Sequence, residues 1–208
     1  MKEYWEGRYL ADKQIWGSSP SRTALYAVDK FKENNVKTLL IPGAGYGRNA
    51  KVFIDAGMNV AAIEVAPLAI AIAEKFVPEL QYFSGSVLDM PFSDDMYGAV
   101  FCFNVLHFFF KNDRQLFLQR CFDQMQPGGV AFFAVFSEKE PSYGKGKEVE
   151  KDTFETKPGR PVHYFSADDL EEHFGMFNIL ETGLMEDPEN HGQEGEHIHI
   201  VRYIYVKK

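Results

Sequence analysis

The sequence predicts an α/β protein built on a doubly wound, mostly parallel sheet. Apolar runs of strand length recur between helical patterns, the first being Thr38-Leu39-Leu40-Ile41. They lack polar alternation, as strands covered on both faces do. The first run ends in a glycine cluster, Gly43-Ala44-Gly45-Tyr46-Gly47, followed by a helical pattern. Near the end of the chain, Ile198, Ile200, Ile204 and Val206 alternate with polar neighbours, as an antiparallel strand requires.

Ahead of the first strand lie residues 1–35. Tyr4, Trp5, Tyr9, Ile15 and Trp16 stand among charges on a short leading helix. Ser18-Ser19-Pro20 offers an N-cap and a first-turn proline for a second helix over 20–34. The aromatics either pin the leading helix to the domain or make it a lid over a ligand. After the glycine cluster, Ala50, Phe53 and Ile54 fall on one helix face, and Gly57 is the stop. Asn59-Val60-Ala61-Ala62-Ile63-Glu64 is a second buried strand that ends in an acid. Glu64 falls about 20 residues past the turn, where nucleotide folds place a carboxylate on ribose hydroxyls. Its two oxygens suit a diol. Ala66-Pro67 opens the next helix.

Leu80-Gln81-Tyr82-Phe83 reads as a third strand. Asp89, in the loop beyond it, is an acceptor for the exocyclic amine of an adenine or an Asx-turn residue. The apolar run from Tyr97 ends in Asn104 and His107, at the sheet edge where open parallel sheets bind ligands. His107 reads as a hydrogen-bonded structural histidine or a base. Residues 112–126 are an amphipathic helix with Leu118, Cys121, Phe122 and Met125 on one face, broken by Pro127-Gly128-Gly129. Residues 130–136 are a fifth strand.

Residues 137–165 are loop-like and too long for a plain connection, so they are expected to be a substrate-covering insertion or a solvated one. Tyr143, Phe154, Arg160, His163 and Tyr164 are its candidates to touch substrate. Ser166 caps a helix to about Phe174. Strands are expected over 177–185 and 197–206, joined by a polar hairpin loop from Asp187 to Glu196. His191, His197 and His199 lack zinc-site spacing, so no metal is expected.

At 208 residues the chain makes one domain, 1–208, with an ordinary globular composition of 45% hydrophobic and 25% charged residues. A net charge of -8 argues against nucleic acid or an anionic membrane as main partner. Two cysteines form no disulfide framework, the start lacks a signal-peptide core, and no apolar run approaches a membrane span. A cytoplasmic location is expected. Oligomeric state is not legible.

The turn Gly43, Gly45, Gly47 is G-x-G-x-G, with Arg48 where a dinucleotide fold would place its third glycine. Together with Glu64, Asp89, the Asn104-to-His107 strand end and Gln126-Pro127-Gly128-Gly129, it makes residues 36–136 resemble the class I S-adenosylmethionine (SAM)-dependent methyltransferases. The resemblance implies a Rossmann-like seven-stranded sheet with an antiparallel last strand in a three-layer α/β/α arrangement. It also implies SAM as cofactor, held by Gly43, Gly45, Gly47, Glu64, Asp89 and Asn104. The family usually has an acid two residues before the first glycine. Here Ile41 and Pro42 precede the turn, which is similar to the thiopurine and tellurite-resistance branch. In that branch an aromatic leading helix covers SAM, a role that would fall to Trp5, Tyr9 and Trp16. The implied reaction is methyl transfer to a small-molecule nucleophile (thiol, amine, oxyanion or metalloid). His107 and His163 are the base candidates if the nucleophile arrives protonated. The alternatives are a SAM-binding regulator without turnover and a nicotinamide oxidoreductase, the latter disfavoured by Arg48.

Overall fold

The computed structural model describes residues 1–190 and 196–208. Helices α1 (Lys2–Asp12) and α2 (Arg22–Glu33) precede the sheet. There follow β1 (Thr38–Pro42), α3 (Arg48–Asp55), β2 (Asn59–Glu64), α4 (Pro67–Phe76), β3 (Gln81–Ser84), β4 (Tyr97–Phe103), α5 (Lys111–Gln124) and β5 (Met125–Phe136). A small unit of β6 (Lys147–Glu150), β7 (Thr153–Lys157) and β8 (Arg160–His163) comes next, then α6 (Ala167–His173), β9 (Asn178–Asn190) and β10 (Glu196–Lys207).

The main sheet has seven strands in the order β3-β2-β1-β4-β5-β10-β9. The first five run parallel, and β10 runs antiparallel to both of its neighbours. Side chains alternate across the pleat. Leu39, Ile41, Ala62, Phe101 and Phe132 face one core with α2 and α3. Leu40, Ile63, Cys102 and Phe133 face the other with α5 and α6. The expected three-layer, doubly wound sheet with an antiparallel last strand is what the chain forms.

Several boundaries differ from expectation. The cap of α2 is Ser21, whose hydroxyl accepts the Ala24 N–H at 3.1 Å, so Pro20 lies ahead of the helix. Strand β5 already begins at Met125, and Pro127-Gly128-Gly129 lies inside it, at a register shift opposite β4. Of the expected hairpin loop from Asp187 to Glu196, the described residues belong to β9 and β10, and the acids of β9 find buried partners. Asp187 accepts from the Arg22 N–H at 3.1 Å and the Thr23 hydroxyl at 3.2 Å. His191 lies outside the described residues.

Residues 137–165 are not a plain loop. They hold the antiparallel sheet β6-β7-β8, whose polar alternation suits one wet face. This segment is fastened to β10 by Arg202, which donates to both carboxylate oxygens of Glu138 at 2.8 Å and to the Phe165 carbonyl at 3.2 Å. Among the described residues no helix is long and apolar enough to cross a membrane.

Asp187→Ala leaves the Thr23 hydroxyl and the N-terminal turn of α2 without their acceptor. The unfolding free energy in urea should fall by about 1–3 kcal/mol. An unchanged midpoint would contradict the assignment of Asp187 as the tie between α2 and β9.

Candidate active site

A cavity of about 520 Å³ opens at the carboxyl edge of the parallel strands. Its floor is the glycine turn. The Gly43 and Ala44 N–H groups donate to the Ile63 carbonyl, at 2.8 and 3.2 Å, which ties the turn to β2. Gly45 has φ +57°, and a Cβ there would lie 2.8 Å from the Tyr9 hydroxyl. Gly43 has φ +70°, and a Cβ there would overlap the Val105 side chain. Glycine is thus required at both positions on two counts, handedness and space.

Glu64 ends β2 beside this turn and is 5% exposed. One carboxylate oxygen accepts the Gly45 N–H at 2.9 Å; the other accepts the Val65 and Ala66 N–H groups at 2.8 and 2.9 Å. Burial pushes its carboxyl up, while these backbone donors pull it back. A carboxylate offers about four lone-pair sites, so it retains capacity for a ligand hydroxyl. Asn104, held at φ +56° past the end of β4, lines the same cavity, and its side-chain oxygen is buried without a partner.

Four aromatics of the leading segment, Tyr4, Trp5, Tyr9 and Trp16, line the cavity as well. Trp5 meets Phe108 edge-on at 5.5 Å, and Trp16 stacks on Tyr46 at 6.2 Å. The Tyr46 hydroxyl accepts the Trp16 N–H at 3.1 Å and donates to the Gly17 carbonyl at 2.6 Å. Tyr9 is 3% exposed, and burial, with the Glu64 charge second, pushes its phenol well up. It sits against the turn as a neutral hydroxyl. Trp5, Tyr9 and Trp16 therefore all line the cavity, together with Gly43, Gly45, Glu64 and Asn104. Gly47 lies just below it as the left-handed N-cap of α3.

Five further expected residues lie off the cavity. Asp89 is exposed on the short turn Val87–Asp89, outside the cavity wall, where Gly85, Ser86 and Val87 stand instead. His163 also lies off the cavity. It bridges the Thr153 hydroxyl and the Asp169 carboxylate, each at 2.8 Å, and so joins β7, β8 and α6. Tyr143, Phe154 and Tyr164 pack on one another at 5.5–6.0 Å. Of the cover residues singled out from sequence, only Arg160 reaches the cavity.

His107 is fully buried in the cavity wall, stacked on Phe136 at 4.3 Å. Its Nδ1 accepts the Phe136 N–H at 3.2 Å. Burial holds the ring well below the usual histidine range, so it is neutral and its proton sits on Nε2. That atom has no partner. His107 thus holds a buried N–H donor without a partner in the cavity wall, not the free lone pair of a base.

Two further groups in the wall were not singled out as site residues. Arg48 pairs with buried Glu189, its guanidinium 5.6 Å from the Trp16 ring and 5.7 Å from that of Phe103. Glu140 accepts the Ile200 N–H at 2.7 Å and contacts His199 Nδ1 at 2.8 Å. His199 and His197 face each other through their Nε2 atoms at 2.9 Å. The acids Asp187 and Glu189 share one face of β9, and that two-residue period was the one signal available for Glu189.

Residues 40–133 match the family model described as a methyltransferase domain. No curated protein matches the chain. Among solved structures, the chain resembles a Burkholderia thailandensis 1,6-didemethyltoxoflavin N1-methyltransferase, with a TM-score of 0.72 and 16% identity over 100% of this chain and 86% of that one. A SAM-dependent methyltransferase from Clostridium acetobutylicum gives 0.72 and 15%, covering 98% of each chain. TehB from Haemophilus influenzae gives 0.66 and 14%, covering 88% of this chain and 61% of that one.

Gly45→Ala forces a side chain into the left-handed region and against Tyr9. It should cost about 1–3 kcal/mol, seen as a lower midpoint in thermal denaturation. A wild-type midpoint would show that Tyr9 does not press on the turn. The glycine turn, the acid at the end of β2 and the sheet order accompany the match to a methyltransferase domain over residues 40–133, and the chain has the fold of the SAM-dependent methyltransferase structures it resembles.

Proposed function

We propose that the protein transfers the methyl group of SAM to a nucleophile on a small molecule. One observation carries the reading: a single cavity joins the glycine turn and Glu64 to the cover formed by residues 137–165. Cofactor-side and acceptor-side residues thus share one space. Its size falls within the range of small-molecule sites.

The residues present fit the cofactor. Glu64 takes the ribose hydroxyls, the bare backbone of Gly43 and Gly45 lets the amino-acid tail lie close, and the orphan oxygen of Asn104 accepts from its ammonium. Trp5, Tyr9 and Trp16 close over it and exclude water. The bound sulfonium supplies an already activated methyl carbon. The protein's task is to hold the acceptor in line with it, and such positioning is worth roughly 7–11 kcal/mol. The proposal includes no general base, because His107 offers a proton and His163 lies off the cavity. A thiolate, amine or preformed anion needs none. The solved structures support a small acceptor: one neighbour was crystallised with 1,6-didemethyltoxoflavin and S-adenosylhomocysteine, and another is a magnesium protoporphyrin IX methyltransferase.

Glu64→Gln keeps the shape and removes the charge that holds the ribose. Titration calorimetry should show SAM affinity lower by about 10- to 100-fold, equivalent to roughly 1.5–3 kcal/mol. Unchanged affinity in a folded variant would refute the assignment. A radiolabelled-methyl assay across thiols, amines and oxyanions tests turnover, and tight SAM binding with no transfer to any class would favour a regulator.

A further inference from the structure

The cavity has a charge asymmetry that the cofactor does not use. Glu64, Glu140 and Glu189 line it, and each carboxylate is satisfied within the protein, by backbone N–H groups, by Ile200 N–H with His199, and by Arg48. The cations of the cover are not matched in this way. Lys145, Lys157 and Arg160 line the cavity, and none forms an ion pair among the described residues.

Lys157 and Arg160 face each other across the β7–β8 hairpin. The Arg160 guanidinium lies 5.1 Å from the Tyr4 ring and 5.8 Å from the Phe108 ring, and its Nη1 donates to the Tyr4 hydroxyl at 3.2 Å. These partners orient the group without neutralising it. Its Nε is buried with no acceptor. On the neighbouring wall, beside Phe108, the fully buried His107 Nε2 also has none. Two N–H donors with no acceptor therefore belong to residues that line one cavity, under a cationic cover, in a chain of net charge -8. Buried donors left unmatched are costly, and a charged acceptor is the strongest match for them.

We propose that the methyl acceptor carries an anionic oxygen group (carboxylate, phosphate or inorganic oxyanion) held by Arg160 and the His107 Nε2–H, with Lys157 and Lys145 drawing it in. The inference deepens the methyltransferase reading and rests on it. His107 is thereby a binding residue for the acceptor's anionic group.

The test titrates benzoate, benzamide, phenyl phosphate and inorganic phosphate into the protein, with and without S-adenosylhomocysteine. The His107 Nε2 resonance is followed by NMR and affinity by calorimetry. Benzoate or phenyl phosphate should bind at least about tenfold more tightly than benzamide, shift the His107 signal, and weaken with added salt. Phenyl phosphate binding better than inorganic phosphate identifies an organic anion; equal binding identifies a bare oxyanion. Arg160→Gln should abolish the preference over benzamide while leaving S-adenosylhomocysteine affinity within about twofold of wild type. Benzoate and benzamide binding alike, no binding of any anion, or a preference that survives Arg160→Gln would each overturn the proposal. The methyltransferase reading fails separately, in the arm where S-adenosylhomocysteine itself produces no heat.

Discussion

The organisation of the sheet's carboxyl edge depends on one carboxylate. Glu64 fastens the glycine turn to the start of α4 through three backbone N–H groups, from Gly45, Val65 and Ala66. Those donors come from two separate chain segments. Without an acceptor between them, the turn after β1 and the start of α4 would each bury unpaired N–H groups. The same carboxylate lines the cavity, and its three backbone bonds leave one of its roughly four lone-pair sites unused. Burial raises its proton affinity, and the backbone donors oppose that rise and favour the charged form.

Around that point the molecule closes the cavity from two sides. The leading helix lowers Trp5 and Tyr9 onto the turn, and Trp16 follows on Tyr46. The small sheet β6-β7-β8 arrives from the far end of β5. It reaches the leading helix through the Arg160–Tyr4 contact and is anchored behind by Arg202 on Glu138. The leading helix and the small sheet thus meet at the cavity without belonging to the main sheet.

Much of this was legible in the sequence, for identifiable reasons. The fully apolar runs of β1, β4 and β5 announce strands buried on both faces, and Gly43, Gly45 and Glu64 carry their chemistry in local spacing. What was not legible depends on distant partners. The strands of β6-β7-β8 are short and polar, Gly144 and Gly146 precede the first and Gly159 separates the last two, so their pattern resembles a loop. The acids of β9 look like hairpin residues until Arg48 and Thr23, more than a hundred residues away, are seen to pair with them. His107 looked like a possible base because a sequence does not show which nitrogen the Phe136 N–H occupies. His163 and Asp89 followed the family pattern or a plausible position, but one is locked between Thr153 and Asp169 and the other points to solvent.

The central claim is that a side-chain-free bend and one acid hold a sulfonium nucleoside beneath an aromatic roof. A crystal structure of the protein with S-adenosylhomocysteine tests it most directly. The account predicts the ribose hydroxyls on the Glu64 carboxylate, the amino-acid tail along Gly43 and Gly45, and Trp5, Tyr9 and Trp16 packed over the ligand. Density for the nucleoside elsewhere on the molecule, with Glu64 touching only its three backbone donors, would contradict it.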